Sequence, residues 1–365
     1  MILQRSEMLA ELMRKKQSIV VSGSHGKTTT TAMITTLLMS AGFDPTSVIG
    51  GRLKSIAGNA RMGSDEWFVA ESDESDGSFL RLLPTIAVVT NVDREHLSHY
   101  GNYAALEKSF VEFCSKVPFD GQVVLCADDF GSRSVANLLD RKILTYGIRE
   151  KATLTAVDVA LAAEGASFDL CREGRRLVRV GLGVTGLHNV YNALAAAGVG
   201  LELGISPEAI AQGLSRYEGI GRRLEFKGKS PEGFSVYDDY AHHPSEILAS
   251  VAALKVLARG KKVRVLFQPH RYSRLGDLWN EFAACFGGVD TLGIVPVYAA
   301  GEAPLPGIDS QALVGAVADV PQPFFAPSIE AGVEKIRSLS EAGDVVVAMG
   351  AGDITLAANR WAGGA

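Results

Sequence analysis

The chain has 365 residues, 47% hydrophobic and 21% charged, with a formal net charge of −5. That is enough for two domains with cores of their own, and the acidic balance excludes a general affinity for nucleic acid or anionic membrane. Four widely spaced cysteines, Cys114, Cys126, Cys171 and Cys285, form no CxxC pair; they read as buried thiols of a reducing cytosol, and the chain is expected to be cytoplasmic.

In chain order, Met1 to Lys16 reads as an amphipathic helix without a signal-peptide core. No apolar stretch reaches the length of about 18 residues that a membrane span needs. Ser18 to Val21 is a short apolar strand that runs into Gly23-Ser-His-Gly-Lys-Thr-Thr-Thr30, and a helix follows to about Ser40. Trp67 to Ala70, Ile86 to Thr90 and Val123 to Cys126 are further strands, with a helix over Leu106 to Cys114. Residues 152 to 184 read as a small antiparallel flank, and Asn189 to Leu203 as an Ala-rich helix. A second pattern starts near Leu224. It has strands at Phe234–Tyr237, Val263–Phe267, Thr291–Val295 and Val345–Ala348, with a helix from Pro244 to Leu257. Alternating strands and helices predict an α/β fold. The expected architecture is a central P-loop-type ATPase domain with a mostly parallel sheet, plus a smaller Rossmann-like, doubly wound C-terminal domain. The divisions read as a leading helix or linker over 1–17, a central domain over 18–222 and a C-terminal domain over 223–365.

The strongest chemical signal is the loop from Gly23 to Thr30. Glycine lets backbone N–H groups approach phosphate oxygens, and the following helix N-terminus adds partial positive charge. Gly23, Ser24, His25, Gly26, Lys27, Thr28 and Thr29 are thus candidate nucleotide contacts. Lys27 is placed to neutralise phosphate charge and Thr28 to ligate Mg²⁺. Val21 stands where the strict G-x-x-x-x-G-K-[ST] pattern has its first glycine. A glycine-rich turn with a solvated lysine is the bland alternative; strand, loop and helix in the right order weigh against it. Glu71-Ser-Asp-Glu-Ser-Asp76 and Asn91-Val-Asp-Arg-Glu-His96 both follow strands, where open α/β sheets bind ligands. Each run reads either as a solvated loop or as part of a metal site.

Together the G-S-H-G-K-T-T-T loop, E-S-D-E-S-D and N-x-x-x-x-H resemble the Mur ligases. Asp238-Asp-Tyr-Ala-His-His-Pro-Ser-Glu246, Phe267-Gln-Pro-His-Arg-Tyr-Ser-Arg274, Tyr298-Ala-Ala-Gly-Glu-Ala-Pro304 and Gly350-Ala-Gly-Asp353 look like the alanine-adding branch of that family. The resemblance implies an ATP-dependent amide ligase that uses Mg²⁺ in making peptidoglycan precursors. Its substrates would be UDP-N-acetylmuramate and L-alanine, with no nucleic acid and no membrane as partner. It implies Lys27 on the β/γ-phosphates, Thr28 and Glu71 on the first Mg²⁺ and His96 on the second. His188, Asn189 and Asn192 would hold adenine, although a helix cap is the plain reading of those three. Arg223 would reach the γ-phosphate, and Asp239 the ribose. His242, Arg271 and Arg274 would face the reacting carboxylate, the acyl phosphate and the amino acid. Gly50 to Gly58 would be a loop that touches the UDP-sugar.

Two departures from the family pattern stand out. Val111 occupies the position where several Mur ligases carry a carbamylated lysine, so no carbamate is assigned. The family's first, UDP-binding domain has no counterpart ahead of Met1, which leaves a separate N-terminal domain as an expected partner. The competing readings are a nucleotide-binding module without ligase activity, the related murein-peptide recycling ligase, and a P-loop kinase, which the second sheet domain disfavours.

Overall fold

The computed structural model describes residues 5–363. Residues 1–4 of the expected leading helix lie outside them; the helix runs from Arg5 to Met13, with Met13 buried against the first core. The chain folds as two compact units. Residues up to Ile220, the turn 162–164 aside, form the first, and residues from Gly221 onward the second. Each is α/β.

The first unit is built on a ten-stranded sheet. Its strands are β1 (Gln17–Ser22), β2 (Thr46–Leu53), β3 (Gly58–Arg61), β4 (Trp67–Glu71), β5 (Ile86–Val89), β6 (Gln122–Cys126), β7 (Ile143–Gly147), β8 (Leu154–Ala162), β9 (Gly165–Arg172) and β10 (Arg175–Leu182). They lie in the order β10-β9-β8-β7-β6-β5-β1-β4-β2-β3. From β2 through β8 every neighbouring pair is parallel, while β2·β3 and β9·β10 are antiparallel. The central strands are apolar through their middles because both of their faces are covered. On one face the helices Lys27–Ser40 and Leu187–Glu202 pack over Ile19, Val21, Val69, Val88 and Val124. On the other, the helix Tyr103–Ser115 brings Leu106, Phe110 and Phe113 against Val20, Ala87, Val89 and Val123. Residues 152–184 form a flank at one edge of this sheet, with β9·β10 antiparallel as expected. β8 pairs parallel with β7, and β8 to β10 extend the main sheet.

The second unit carries six strands, β11 (Glu225–Lys229), β12 (Ser235–Asp239), β13 (Val263–Phe267), β14 (Thr291–Ile294), β15 (Pro323–Phe325) and β16 (Val345–Met349). Their order is β11-β12-β16-β13-β14-β15, all parallel except β11·β12. One charged pair is buried among these strands. Arg264 Nε lies 3.0 Å from Asp344 Oδ2, and Nη1 donates to Thr291 Oγ1 at 2.7 Å, with both charged side chains about 95% covered. Removing one partner of such a pair strands the other charge in low dielectric, at about 3–5 kcal/mol. Asp344→Ala is therefore expected to lower the urea midpoint of the second unit's unfolding by that equivalent, whereas an exposed control, Glu281→Ala, leaves it in place.

Candidate active site

The phosphate loop joins β1 to the helix Lys27–Ser40. Gly23 (φ +125°) and Gly26 (φ +84°) both hold backbone that L side chains rarely adopt. A Cβ on Gly23 would sit 2.3 Å from Thr90 Oγ1, and one on Gly26 2.6 Å from Asn192 Oδ1. The loop is held from the neighbouring strand's end. Asn91 Oδ1 accepts from His25 N–H at 2.8 Å, Asn91 Nδ2 donates to His25 O at 3.0 Å, and Thr90 Oγ1 donates to the same carbonyl at 2.6 Å. His25 Nε2 lies 3.1 Å from Asp93. No side chain caps the helix that begins at Lys27, so its first-turn N–H groups are available to an acceptor from outside the chain.

Lys27 folds back over this loop. Its Nζ donates to Gly23 O at 2.5 Å, to Ser24 O at 3.0 Å and to Glu74 at 2.9 and 3.2 Å. Glu74 is fully buried, and burial pushes its carboxyl up to about 7 against the pull of Lys27. Burial works against the lysine's charge too, but Glu74, Asp73 and Glu95 together hold its pKa above the ordinary value. Thr28 Oγ1 donates to Glu71 Oε1 at 2.8 Å, and the other oxygen of Glu71 accepts from Gly50 N–H at 2.7 Å. Asp73, Glu74 and His96 bring one ligand atom each within 4.8 Å of one another. His96 stands at φ +57°, with Nε2 3.8 Å from Glu74 and 3.9 Å from Glu95. Hydroxyl and carboxylate oxygens of this kind suit a small hard cation, so the residues present fit Mg²⁺.

Other expected residues fall into place differently. Asn192 lies beneath the loop, where Thr30 Oγ1 donates to its Oδ1 at 3.1 Å, and Asn189 donates to Thr185 O at 2.7 Å. Neither caps the helix Leu187–Glu202, whose N-cap is Gly186, and His188 lies in its first turn. Thr29 is buried in the first turn of the loop's helix. The stretch Gly50–Gly58 is not a free loop: it is the end of β2, a 3₁₀ turn over Lys54–Ile56 and the start of β3. Val111 packs against the apolar core behind the helix Tyr103–Ser115.

In the second unit, a cationic group gathers at the carboxyl ends of β12 and β13. Glu246 closes a capping box at the helix Pro244–Ala258, and its Oε2 accepts from His242 N–H at 3.1 Å. The same carboxylate lies 3.2 Å from His242 Nδ1 and 3.5 Å from Arg223. Arg222 and Arg223 both lie over the Tyr240 ring, at 4.9 and 5.1 Å. Arg271 (φ +72°) begins the turn after β13, with half of its side chain exposed, and Arg274 Nη1 lies 3.2 Å from His270 Nδ1. Asp239 is buried at the end of β12; burial pushes its carboxyl up to about 6, and its Oδ2 accepts no hydrogen bond.

Sequence reasoning offered Glu74 only as one acid of the run Glu71 to Asp76, and gave Glu246 and His270 no role of their own. The fold alone separates Glu74 from Asp73 and Asp76, since only Glu74 turns inward to Lys27. The Glu246 signal was present as His243-Pro-Ser-Glu246, a capping box with proline at N1.

Known proteins resemble this chain along its length. Residues 21–200 match the model of the Mur ligase middle domain, and residues 222–352 that of the Mur ligase glutamate ligase domain. The chain is 44% identical over 355 residues to a UDP-N-acetylmuramate–L-alanine ligase of Desulfatibacillum aliphaticivorans, covering 97% of this chain and 78% of that protein. It is 45% identical over 376 residues to the enzyme of that name from Rhizorhabdus wittichii, covering 100% of this chain and 78% of the other. A crystal structure of a UDP-N-acetylmuramate–alanine ligase from Thermotoga maritima superposes with a TM-score of 0.80 at 28% identity, over 98% of this chain and 77% of that one. With both domain models matched in order and relatives this similar along its length, the chain belongs to the Mur ligase family.

Proposed function

We propose that the chain is an ATP-dependent amide ligase that joins L-alanine to the lactyl carboxylate of UDP-N-acetylmuramate. The observation that carries this reading is the loop around Lys27, flanked by Thr28–Glu71 and by Asp73, Glu74 and His96, in a chain whose whole length matches ligases of that name. Condensing a carboxylate with an amine needs the carboxylate oxygen converted to a leaving group. In the family's reaction the carboxylate takes the γ-phosphoryl group, ADP departs, the alanine amine adds to the acyl carbon and phosphate leaves.

The loop N–H groups and Lys27 bind and orient the phosphates. Thr28 and Glu71 would hold one Mg²⁺ and His96 another, and the ions would offset charge where two anions must meet. Asn189, Asn192 and His188 lie on the helix that supports the nucleotide's base, and Asp239 serves its ribose. Arg223, His242, Arg271 and Arg274 supply the cationic side of the acyl-transfer step. Among the described residues no helix is long and apolar enough to cross a membrane.

The test is phosphate release with ATP, Mg²⁺, UDP-N-acetylmuramate and L-alanine. The assay is run on the chain alone and with the unmatched part of a full-length relative supplied in trans. Release that depends on alanine is expected. Release that ignores alanine in both arrangements rejects the ligase reading.

A further inference from the structure

We propose that His270 is a positioning residue, whose neutral imidazole holds the Arg274 guanidinium in the orientation that receives the carboxylate of the incoming amino acid. The inference rests on the ligase reading above. The imidazole is fixed from several directions. Its ring lies flat on that of Tyr298, with centroids 5.6 Å apart and planes 9° from parallel. The two segments are also stitched through their backbones: Tyr298 N–H donates to Pro269 O at 2.8 Å, and Arg271 N–H donates to Tyr298 O at 2.9 Å. The His242 ring meets His270 edge-on at 5.9 Å. With its plane set in this way, His270 presents Nδ1 to Arg274 Nη1 at 3.2 Å.

A guanidinium can only donate, so Nδ1 must accept and the ring proton must sit on Nε2. Burial, together with the charges of His242, Arg274 and Arg271, lowers the His270 pKa to about 4, against a smaller opposite pull from Glu302. The acceptor is thus present at neutral pH. One edge of the guanidinium is occupied by His270, and the remaining N–H groups form the planar fork that matches a carboxylate. Without the imidazole, Nη1 keeps its longer bond to the His270 backbone carbonyl, 3.4 Å, and the less firmly held guanidinium would meet the substrate less often in the matching geometry.

The experiment measures alanine-dependent phosphate release under the conditions given above, varying L-alanine and ATP separately. His270→Leu is expected to raise the KM for L-alanine about tenfold or more, the scale of one hydrogen bond to a charged group, and to leave the KM for ATP within about twofold. His270→Asn places Oδ1 near the position of Nδ1 and is expected to restore most of the alanine KM. Tyr298 is 40% exposed, so Tyr298→Ala frees the imidazole at little risk to folding; it is expected to raise the alanine KM in the same direction. An unchanged alanine KM in both His270→Leu and Tyr298→Ala overturns the proposal. So does an asparagine variant no better than leucine, or an equal rise in both KM values. Wild-type protein that shows no alanine-dependent release overturns instead the ligase reading on which the proposal rests.

Discussion

Lys27→Ala is expected to abolish alanine-dependent phosphate release, with a fall in kcat of about a thousandfold or more, the upper range for loss of one preorganised charge-stabilising group. The same change has a separate effect on folding. Lys27 is the counter-charge of Glu74, a fully buried carboxylate whose pKa already stands near 7 against an ordinary 4.5. Without the lysine, the native-state pKa of Glu74 rises further. A carboxyl whose pKa is higher folded than unfolded stabilises the native state fully only below its unfolded value, and that contribution is lost as pH climbs toward the folded one. The variant should therefore match wild type in stability near pH 4.5 and fall behind it progressively toward pH 8. At pH 8 the deficit is at most about 1.4 kcal/mol, because the wild-type carboxyl titrates only about one pH unit below that point. Urea denaturation at the two pH values measures this. Lys27→Ala with Glu74→Gln should recover the stability at pH 8 and none of the activity; recovery of activity would show that Lys27 serves folding alone.

Gly23→Ala is the second large expected loss. At φ +125° the added methyl is strained by the backbone itself, and it also meets Thr90 Oγ1 at 2.3 Å, Asn91 O at 2.9 Å and Thr90 N at 2.9 Å. Two of those three atoms are backbone and cannot rotate away. Left-handed strain and overpacking each cost about 1–3 kcal/mol. Relief must come from moving the loop off Asn91, which spoils the array of N–H groups facing the phosphates. ATP affinity, read by calorimetry with a non-hydrolysable analogue, is expected to fall about a hundredfold. Gly42→Ala, at another positive φ with no atom within 4 Å of the new methyl, is the control, with strain but no collision.

The α/β class was legible because β1, β4, β5, β6 and β16 are covered on both faces and carry apolar runs in their sequences, and β13 does so apart from Arg264. β2 escaped because Gly50, Gly51 and Arg52 interrupt its pattern where the strand becomes exposed. β15 escaped because it is a three-residue edge strand starting at Pro323. The helix Phe130–Asn137 was hidden by Phe130, which is 73% exposed at its first position. In the site, the phosphate loop was legible because chemistry and conformation coincide in one short segment. Glu74, Glu246 and His270 were not, since their roles come from partners such as Lys27, His242 and Tyr298, chosen by the tertiary fold. The 152–184 stretch was legible as short strands with an antiparallel pair, β9·β10, but local alternation cannot reveal that β8 joins β7 in parallel.

The grip of Asn91 on both polar groups of the His25 peptide has an energetic consequence. A flexible loop must surrender conformational freedom when it wraps an anion, and that loss subtracts from the observed affinity. Here the side chain at the end of the neighbouring strand has already imposed the curvature, at the expense of folding rather than of association. In the proposed reaction, capture of the triphosphate is thus closer to a key entering a cut lock than to a glove closing on a hand, and little ordering entropy is left for the ligand to offset.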